Sequence, residues 1–387
     1  MHRRSFLTRA ALSSAALPLS AAPAAPLLML SPEEAARIKP QPRLAERASS
    51  ALTRGPWSVT YHRPTGLSEA GPHDFFSEGP YWWPDPKNPQ GPYIRRDGVV
   101  NPDRFTANDN DLSALCDTVL LLALSACFLK QQAAARRAWH LIGVWFLAPK
   151  TFMNPNLEFG QAIRGVTTGR GIGIIDTRPL IWCAQAAALL DASFPNPAVS
   201  AGLKRWFSQY VQWLTTSSKG IAERDNGNNH STWWAAQVAA YSIYCGDSKA
   251  EQFAYNFHRE FLVPKQLRPD GSAPAEEART KSLGYTSMNL DGFAVLCRLA
   301  ERRGVDLWNF KTKDGSGVLT SVAYAARFLE HPEEWKKEQI SDPAKIRAYF
   351  PALAGLAAKR PEWLALQRRL GFSQDAWGTL LAMIFDA

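Results

Sequence analysis

From Asp111 to the C-terminus, apolar residues recur at three- and four-residue intervals through 111–129, 131–147, 177–193, 197–216, 231–245, 247–263, 286–303, 316–330, 343–358 and 374–385. That period belongs to the α-helix. Runs in which Val, Ile or Thr alternates with polar residues are scarce, so little sheet is expected. The helices follow one another through mostly short connections, which predicts helical pairs wound into a toroid or solenoid. No fixed repeat period and no break in composition divides the helical part, so one domain is expected over 31–387, with 1–30 set apart from it.

Three stretches interrupt the helical pattern. Ser31-Pro-Glu-Glu34 carries an N-cap, a proline at the first helical position and a Glu at the third, and predicts a helix running to about Leu52. Residues 54–108 then turn rich in Pro, Gly and aromatics, with Gly79-Pro-Tyr-Trp-Trp-Pro-Asp-Pro86 and Gly91-Pro-Tyr-Ile-Arg-Arg-Asp-Gly98. Prolines at this density exclude regular helix, and the aromatics argue against disorder, so the stretch is expected to be an ordered lid or cleft wall. Its candidate sugar contacts are Tyr81, Trp82, Trp83, Tyr93, Arg95 and Arg96. The connections 149–176 and 264–285 are also long, and in a toroid all three should gather at one rim around His230.

Composition narrows the partners. The formal charge of +9 becomes +6 without Arg3, Arg4 and Arg9, a moderate excess that attracts polyanions. No basic run or recognition motif points to nucleic acid, and an acidic polysaccharide fits the excess as well. Arg3-Arg4-Ser-Phe-Leu followed by an apolar, alanine-rich run to Leu30 predicts a twin-arginine export signal and a periplasmic or secreted product. No later stretch is read as a membrane span. The five cysteines lack C-x-x-C spacing and sit in apolar helical patterns, so buried free thiols are expected. The 14 tryptophans suit a large core or a groove where sugars stack on indole faces.

The chemistry concentrates between Asn226 and Tyr285. Asn226-Gly-Asn-Asn-His-Ser-Thr-Trp-Trp234 is followed downstream by Glu277-Ala-Arg-Thr-Lys-Ser-Leu-Gly-Tyr285. Amides and a cation can hold a carboxylate, while His and Tyr can move protons. The proton at C5 of a uronate is poorly acidic until its carboxylate is neutralised, after which the developing enediolate can take up charge. Asn229 and His230 are assigned that neutralising role, with Arg279 in support. Tyr285 is assigned to proton transfer, which as a base requires a nearby cation (Arg279, Lys281 or protonated His230) to lower its ordinary pKa of about 10. Where H5 and O4 lie on one side of the ring, a single Tyr can take the proton and deliver it to the leaving oxygen. Where they lie opposite, His230 is the base and Tyr285 the acid. Asn228, Asn154, Asn156, Gln161, Lys281 and Trp234 complete the expected substrate contacts. Ser231-Thr232 can cap the next helix. No metal or other cofactor is expected. Gly169-Arg-Gly-Ile-Gly-Ile174 lacks the spacing of a phosphate loop, and Asn108-Asp-Asn-Asp111 that of a calcium loop.

At these residues the chain resembles the alginate-lyase superfamily of polysaccharide lyases. The resemblance rests on Asn228-Asn-His-Ser231, on Ala278 to Tyr285 with Asn289-Leu-Asp291 following, and on Met153-Asn-Pro-Asn-Leu157. The Gly79–Pro86 and Tyr93–Gly98 segments add to it. The 55-residue His230–Tyr285 interval and the six-residue Arg279–Tyr285 interval look most like polysaccharide lyase family 38, whose members cleave glucuronan or alginate. The resemblance implies an all-α (α/α) toroid, an incomplete barrel of six to seven helical hairpins. It also implies metal-independent β-elimination on β-1,4-linked uronans, centred on Asn229, His230, Arg279 and Tyr285, in a monomer or homodimer. Two other functions compete with this one. A glycoside hydrolase on a similar toroid needs two carboxylates across the cleft, for which Asp225, Glu158, Glu276 and Glu277 are the candidates. The other is a non-catalytic protein that binds acidic glycans.

Overall fold

The computed structural model describes residues 27–64 and 69–387. The twin-arginine stretch, residues 1–26, lies outside the described residues. Leu28, Met29 and Leu30 are buried, with Met29 N donating to Gln185 Oε1 and Arg298 Nε to Met29 O. The folded body therefore includes residues before the expected boundary at 31.

Among the described residues there are sixteen α-helices: α1 Pro32–Arg37, α2 Leu44–Ala51, α3 Ala107–Leu129, α4 Gln132–Phe146, α5 Leu180–Ser193, α6 Pro197–Thr216, α7 Ser218–Arg224, α8 Asn229–Cys245, α9 Ser248–Phe257, α10 Val263–Gln266, α11 Pro274–Glu277, α12 Ser282–Arg302, α13 Val318–Glu330, α14 Phe350–Ala358, α15 Pro361–Leu370 and α16 Ala376–Phe385. The capping box at Ser31 and Glu34 forms as expected. The single helix expected to Leu52 is instead two, because Pro40 and Pro42 remove backbone donors between them.

Packing runs α3 to α5, α5 to α8, α8 to α12, α12 to α14, and α14 to α16, which returns to α3. These six line the inside of an (α/α) toroid. Helices α4, α6, α9, α13 and α15 back them from outside. The division explains the sequence pattern. An inner helix is enclosed on all sides and is apolar nearly all round, whereas an outer helix buries one stripe. In α8 every residue from Ser231 to Tyr244 is buried, and in α3 Leu115, Cys116 and Val119 to Cys127 are. Helix α3 has the length and hydropathy of a membrane span, although no stretch after the leader is read as one from the sequence, yet 72% of its most apolar window is buried inside the protein. The five cysteines are free thiols, all buried except the half-buried Cys245.

Short strands pin the connections. In the 54–108 stretch, β1 (Phe76–Glu78) pairs in parallel with β4 (Phe159–Ala162), and β2 (Trp82–Trp83) pairs antiparallel with β3 (Ile94–Arg95). The β2–β3 hairpin thus leans over the mouth of the toroid from a base tied to the 149–176 connection. Asn154 strengthens the tie, its Nδ2 donating to Asp74 Oδ1 at 2.7 Å.

Candidate active site

Helix α8 starts where the inner ring meets the rim loops. Its N-cap is Asn228, whose Oδ1 accepts from His230 N, and not Ser231, whose Oγ accepts from Gly227 N. The left-handed turn at Gly227 (φ 79) brings the chain into this cap. A cavity of about 550 Å³ opens there. Tyr81, Trp82 and Arg95 reach it from the hairpin, Gln161, Arg170 and Asp176 from the second connection, and Asn228, Asn229 and His230 from α8. Arg279 and Tyr285 enter from the start of α12. The three interruptions of the helical pattern do converge on His230.

Two networks set the reactive groups. Arg279 Nη2 donates to Tyr285 Oη at 2.8 Å, and its guanidinium stacks 3.8 Å from the Tyr285 ring centre. Arg279 is fixed in turn by Asp97 of the hairpin, with Nη2 to Oδ1 2.8 Å and Nε to Oδ2 3.1 Å. Burial works against the Asp97 charge, but the hydrogen bonds and charges of Arg279 and Arg95 hold the carboxyl down at about 2. Tyr81 and Tyr285 share a hydroxyl–hydroxyl hydrogen bond of 2.5 Å. The second network lies behind His230. Its Nδ1 is 2.9 Å from Oε1 of Glu223, a fully enclosed carboxyl on α7, which leaves Nε2 without a protein partner among the described residues. Burial pushes Glu223 up, and His230 pulls against that rise.

Tyr285 departs from expectation. Burial, then the Tyr81 contact, raise its pKa well above that of a free phenol, and Arg279 only partly opposes them. The resting group is a loaded phenol, not a phenolate. Asn229 departs too. Its backbone N and side-chain Nδ2 both lie on Glu276, Nδ2 at 3.0 and 2.8 Å from the two carboxyl oxygens, and its buried Oδ1 has no partner among the described residues. As placed, the amide nitrogen that would neutralise a substrate carboxylate faces the protein.

Other expected contacts sort by position. Gln161 is at the cavity in a left-handed conformation (φ 48), held by Ser77 Oγ at its N and by Asp176 at Nε2, while Arg170 Nε donates to its carbonyl. Strain overdetermined in this way is common where a side chain must be aimed. Trp234 is a correction: it is 0% exposed, with Nε1 on Leu214 O and its ring against Phe253 and Phe257, so it is core and not a sugar contact. Asn154 and Asn156 are corrections as well. Neither lines the cavity, and Asn156 Oδ1 accepts from Glu158 N as a turn-stabilising group. Trp83 is turned outward beneath Arg96, with Nε1 on Val99 O, and Lys281 sits at the N-cap of α12 outside the cavity lining.

Sequence reasoning missed Arg170, Arg178, Asp97 and Glu223. Arg170 lies in the 149–176 connection, which is expected at the rim, but within its glycine-rich 169–173 run, whose spacing is compared only with a phosphate loop and singles out no substrate contact. Glu223 precedes His230 by seven residues and carried no signal of its own. Arg95, Arg170, Arg178 and Arg279 line the cavity against Asp109 and Asp176. Burial, with Asp109 adding to it, lifts Asp176 to about 7, and burial also raises Asp109, which blunts the negative charge. The cavity is electropositive. None of the four carboxylates considered for hydrolysis lines it. Glu158 is on Lys219 and Trp213, Asp225 on Arg224, Glu276 on Asn229 and Glu277 on Lys337.

The family model described as alginate lyase matches residues 58–335. The chain belongs to the alginate lyase family. It is a polysaccharide lyase with the family's toroid. A crystal structure of an alginate lyase from Bacteroides ovatus superposes with a TM-score of 0.81 at 31% identity, over 88% of this chain and 91% of that one. Alginate lyase A1-III from Sphingomonas species A1 matches at 16% identity and a TM-score of 0.51, over 90% and 93% of the two chains. A variant of A1-III complexed with a tetrasaccharide matches at 15% identity and a TM-score of 0.54, over 87% and 84%. The A1-III matches speak for the fold alone. No curated protein matches the chain.

Proposed function

We propose that this lyase cleaves β-1,4-linked uronic-acid polymers, glucuronan or mannuronate-rich alginate, by β-elimination at the cavity between His230 and Tyr285. The observation that carries the proposal is the pair of primed groups in one electropositive cavity: an imidazole with Nε2 free and Nδ1 backed by Glu223, and a phenol held by Arg279. In these uronates H5 and O4 lie on the same side of the ring. The phenol gives its proton to His230 Nε2, and the phenolate, faced by Arg279, takes H5. The same proton then passes to O4 as the C4–O4 bond breaks and the 4,5-double bond forms. The imidazolium, stabilised by Glu223, faces the substrate carboxylate together with Arg279, so the developing enediolate is met by positive charge. Asn229 joins this set if its amide turns over. That turn requires a proton on Glu276, whose pKa burial raises. The Tyr81–Tyr285 hydrogen bond must open for O4 to enter, which gives the hairpin the part of a lid.

The Bacteroides ovatus protein is described as an alginate lyase, which supports a uronan substrate. A panel of glucuronan, polymannuronate, polyguluronate and a neutral β-1,4-glucan, followed by ultraviolet absorbance of the unsaturated product, tests the proposal. Signal is expected on glucuronan or polymannuronate and none on the neutral glucan. Release of saturated reducing ends without absorbance would return the hydrolase, and binding without turnover on every uronan the glycan-binding protein. Export through the twin-arginine stretch is proposed alongside; Arg3→Lys with Arg4→Lys should retain the protein in the cytoplasmic fraction, and unchanged export would refute it.

A further inference from the structure

Beneath the active-site cavity lies a second chamber of about 450 Å³, and Ser113, Arg178, Pro179 and Met288 line both. Helical spacing makes the two chambers successive levels of one passage. On α3, Asp109, Ser113 and Asp117 fall four residues apart on one face, the first in the upper chamber and the last in the lower. On α12, Tyr285, Met288 and Asp291 do the same at three-residue spacing, and on α8, His230 is followed by Trp233. Eight residues of helix rise roughly 12 Å, enough to set a further sugar beyond those at the scissile bond.

The lower chamber offers the groups that an acidic sugar needs. The Arg178 guanidinium, between the levels, makes no hydrogen bond or ion pair among the described residues and rests 5.5 Å from the Trp233 ring centre. Arg347 at the mouth donates only to the Ala344 and Ile346 carbonyls, with no carboxylate partner among the described residues. Trp182, half-buried, is backed by Trp377 at 3.7 Å, a rigid indole plate of the kind on which sugar rings stack. The carboxylates of the chamber are already engaged. Asp291 accepts from Tyr349 N and Phe350 N, Asp117 from Ala376 N and Arg54, and Asp375 caps α16. Burial also raises Asp291 to about 8, leaving it mainly uncharged at neutral pH. Arg347, Tyr349, Asp375 and Trp377 all lie beyond residue 335, where the match to the family model ends.

We infer that the lower chamber is an additional subsite for one more uronate residue of the same polymer, its carboxylate held by Arg178 and Arg347 and its ring laid on Trp182. This rests on the uronan reading above, and it makes turnover depend on chain length. The test uses saturated β-1,4 oligouronates of increasing length on the full chain. In the wild type kcat/KM should climb with length, and Arg347→Ala should cut the ratio of longest to shortest by about tenfold, the worth of one charge-assisted hydrogen bond. Arg347→Lys, which keeps the charge without the planar fork, should recover part of the ratio. A ratio equal to that of the wild type, or a loss shared equally by all lengths, overturns the subsite. Calorimetric binding of the same oligomers to Tyr285→Phe, with and without Arg347→Ala, reads it apart from turnover. A wild type inactive on every uronan would sink the proposed reaction, while length-dependent binding that Arg347→Ala flattens would still uphold the subsite, and length-independent binding would overturn it.

Discussion

Tyr285→Phe is expected to lower kcat by about 10²–10⁴-fold, the usual range for a positioned acid–base group, with little change in KM or melting temperature. The substitution removes one oxygen and keeps the ring. Arg279 stacks on that ring at 3.8 Å and is anchored independently by Asp97, so the clamp should stay in place. What disappears is the hydroxyl joined to both Arg279 and Tyr81. If Tyr285 instead served only to fill space, Phe would preserve turnover. Steady-state kinetics on the uronan the wild type prefers, beside a thermal melt, separates the two cases.

The next largest effect is expected at the His230–Glu223 pair. His230→Ala should cost a loss comparable to that of Tyr285→Phe, because it removes both the acceptor of the phenol proton and the cation facing the carboxylate. Glu223→Gln tests the same unit more finely. A carboxylate behind an imidazole fixes the tautomer and stabilises the charged ring, and the corresponding acid-to-amide change in a serine-protease triad lowers kcat by roughly 10⁴. Here Glu223 is 0% exposed and touches no substrate, so kcat should fall by at least about tenfold with KM nearly unchanged. The double variant should be little worse than His230→Ala alone, since the two act as one group. Full additivity of the two losses would separate Glu223 from the imidazole.

Much of this arrangement was legible from residue order, for reasons that particular elements make clear. The outer helix α6 spans the same 197–216 that its apolar spacing predicts, and the structure shows why the start is sharp: Asn196 caps the helix and Pro197 takes its first position. The region 343–349 was read as the start of a helix, but it holds only a 3-10 turn at Pro343–Lys345 and four residues without helix before α14 begins at Phe350, and α15 was missed although Pro361 marks its start. At the site, sequence brought His230, Arg279 and Tyr285 together because types with so few shared uses sat close in the chain. It could not show which way an amide or a phenol is biased. Asn229 is turned by Glu276 and Tyr285 is loaded by burial, and both are tertiary effects from partners distant in sequence. Trp234 fails as a contact for a simpler reason: adjacent helical residues point about 100° apart, and of Trp233 and Trp234 it is Trp233 that faces the passage.

Elimination and hydrolysis differ by one water, and mass spectrometry of the products from a single saturated oligouronate of known length measures that difference directly. Cleavage through Tyr285 and His230 predicts two fragments whose masses sum to that of the substrate, the one from the non-reducing side of the cut saturated and its partner carrying the double bond. Fragments that together weigh one water more than the substrate would contradict it.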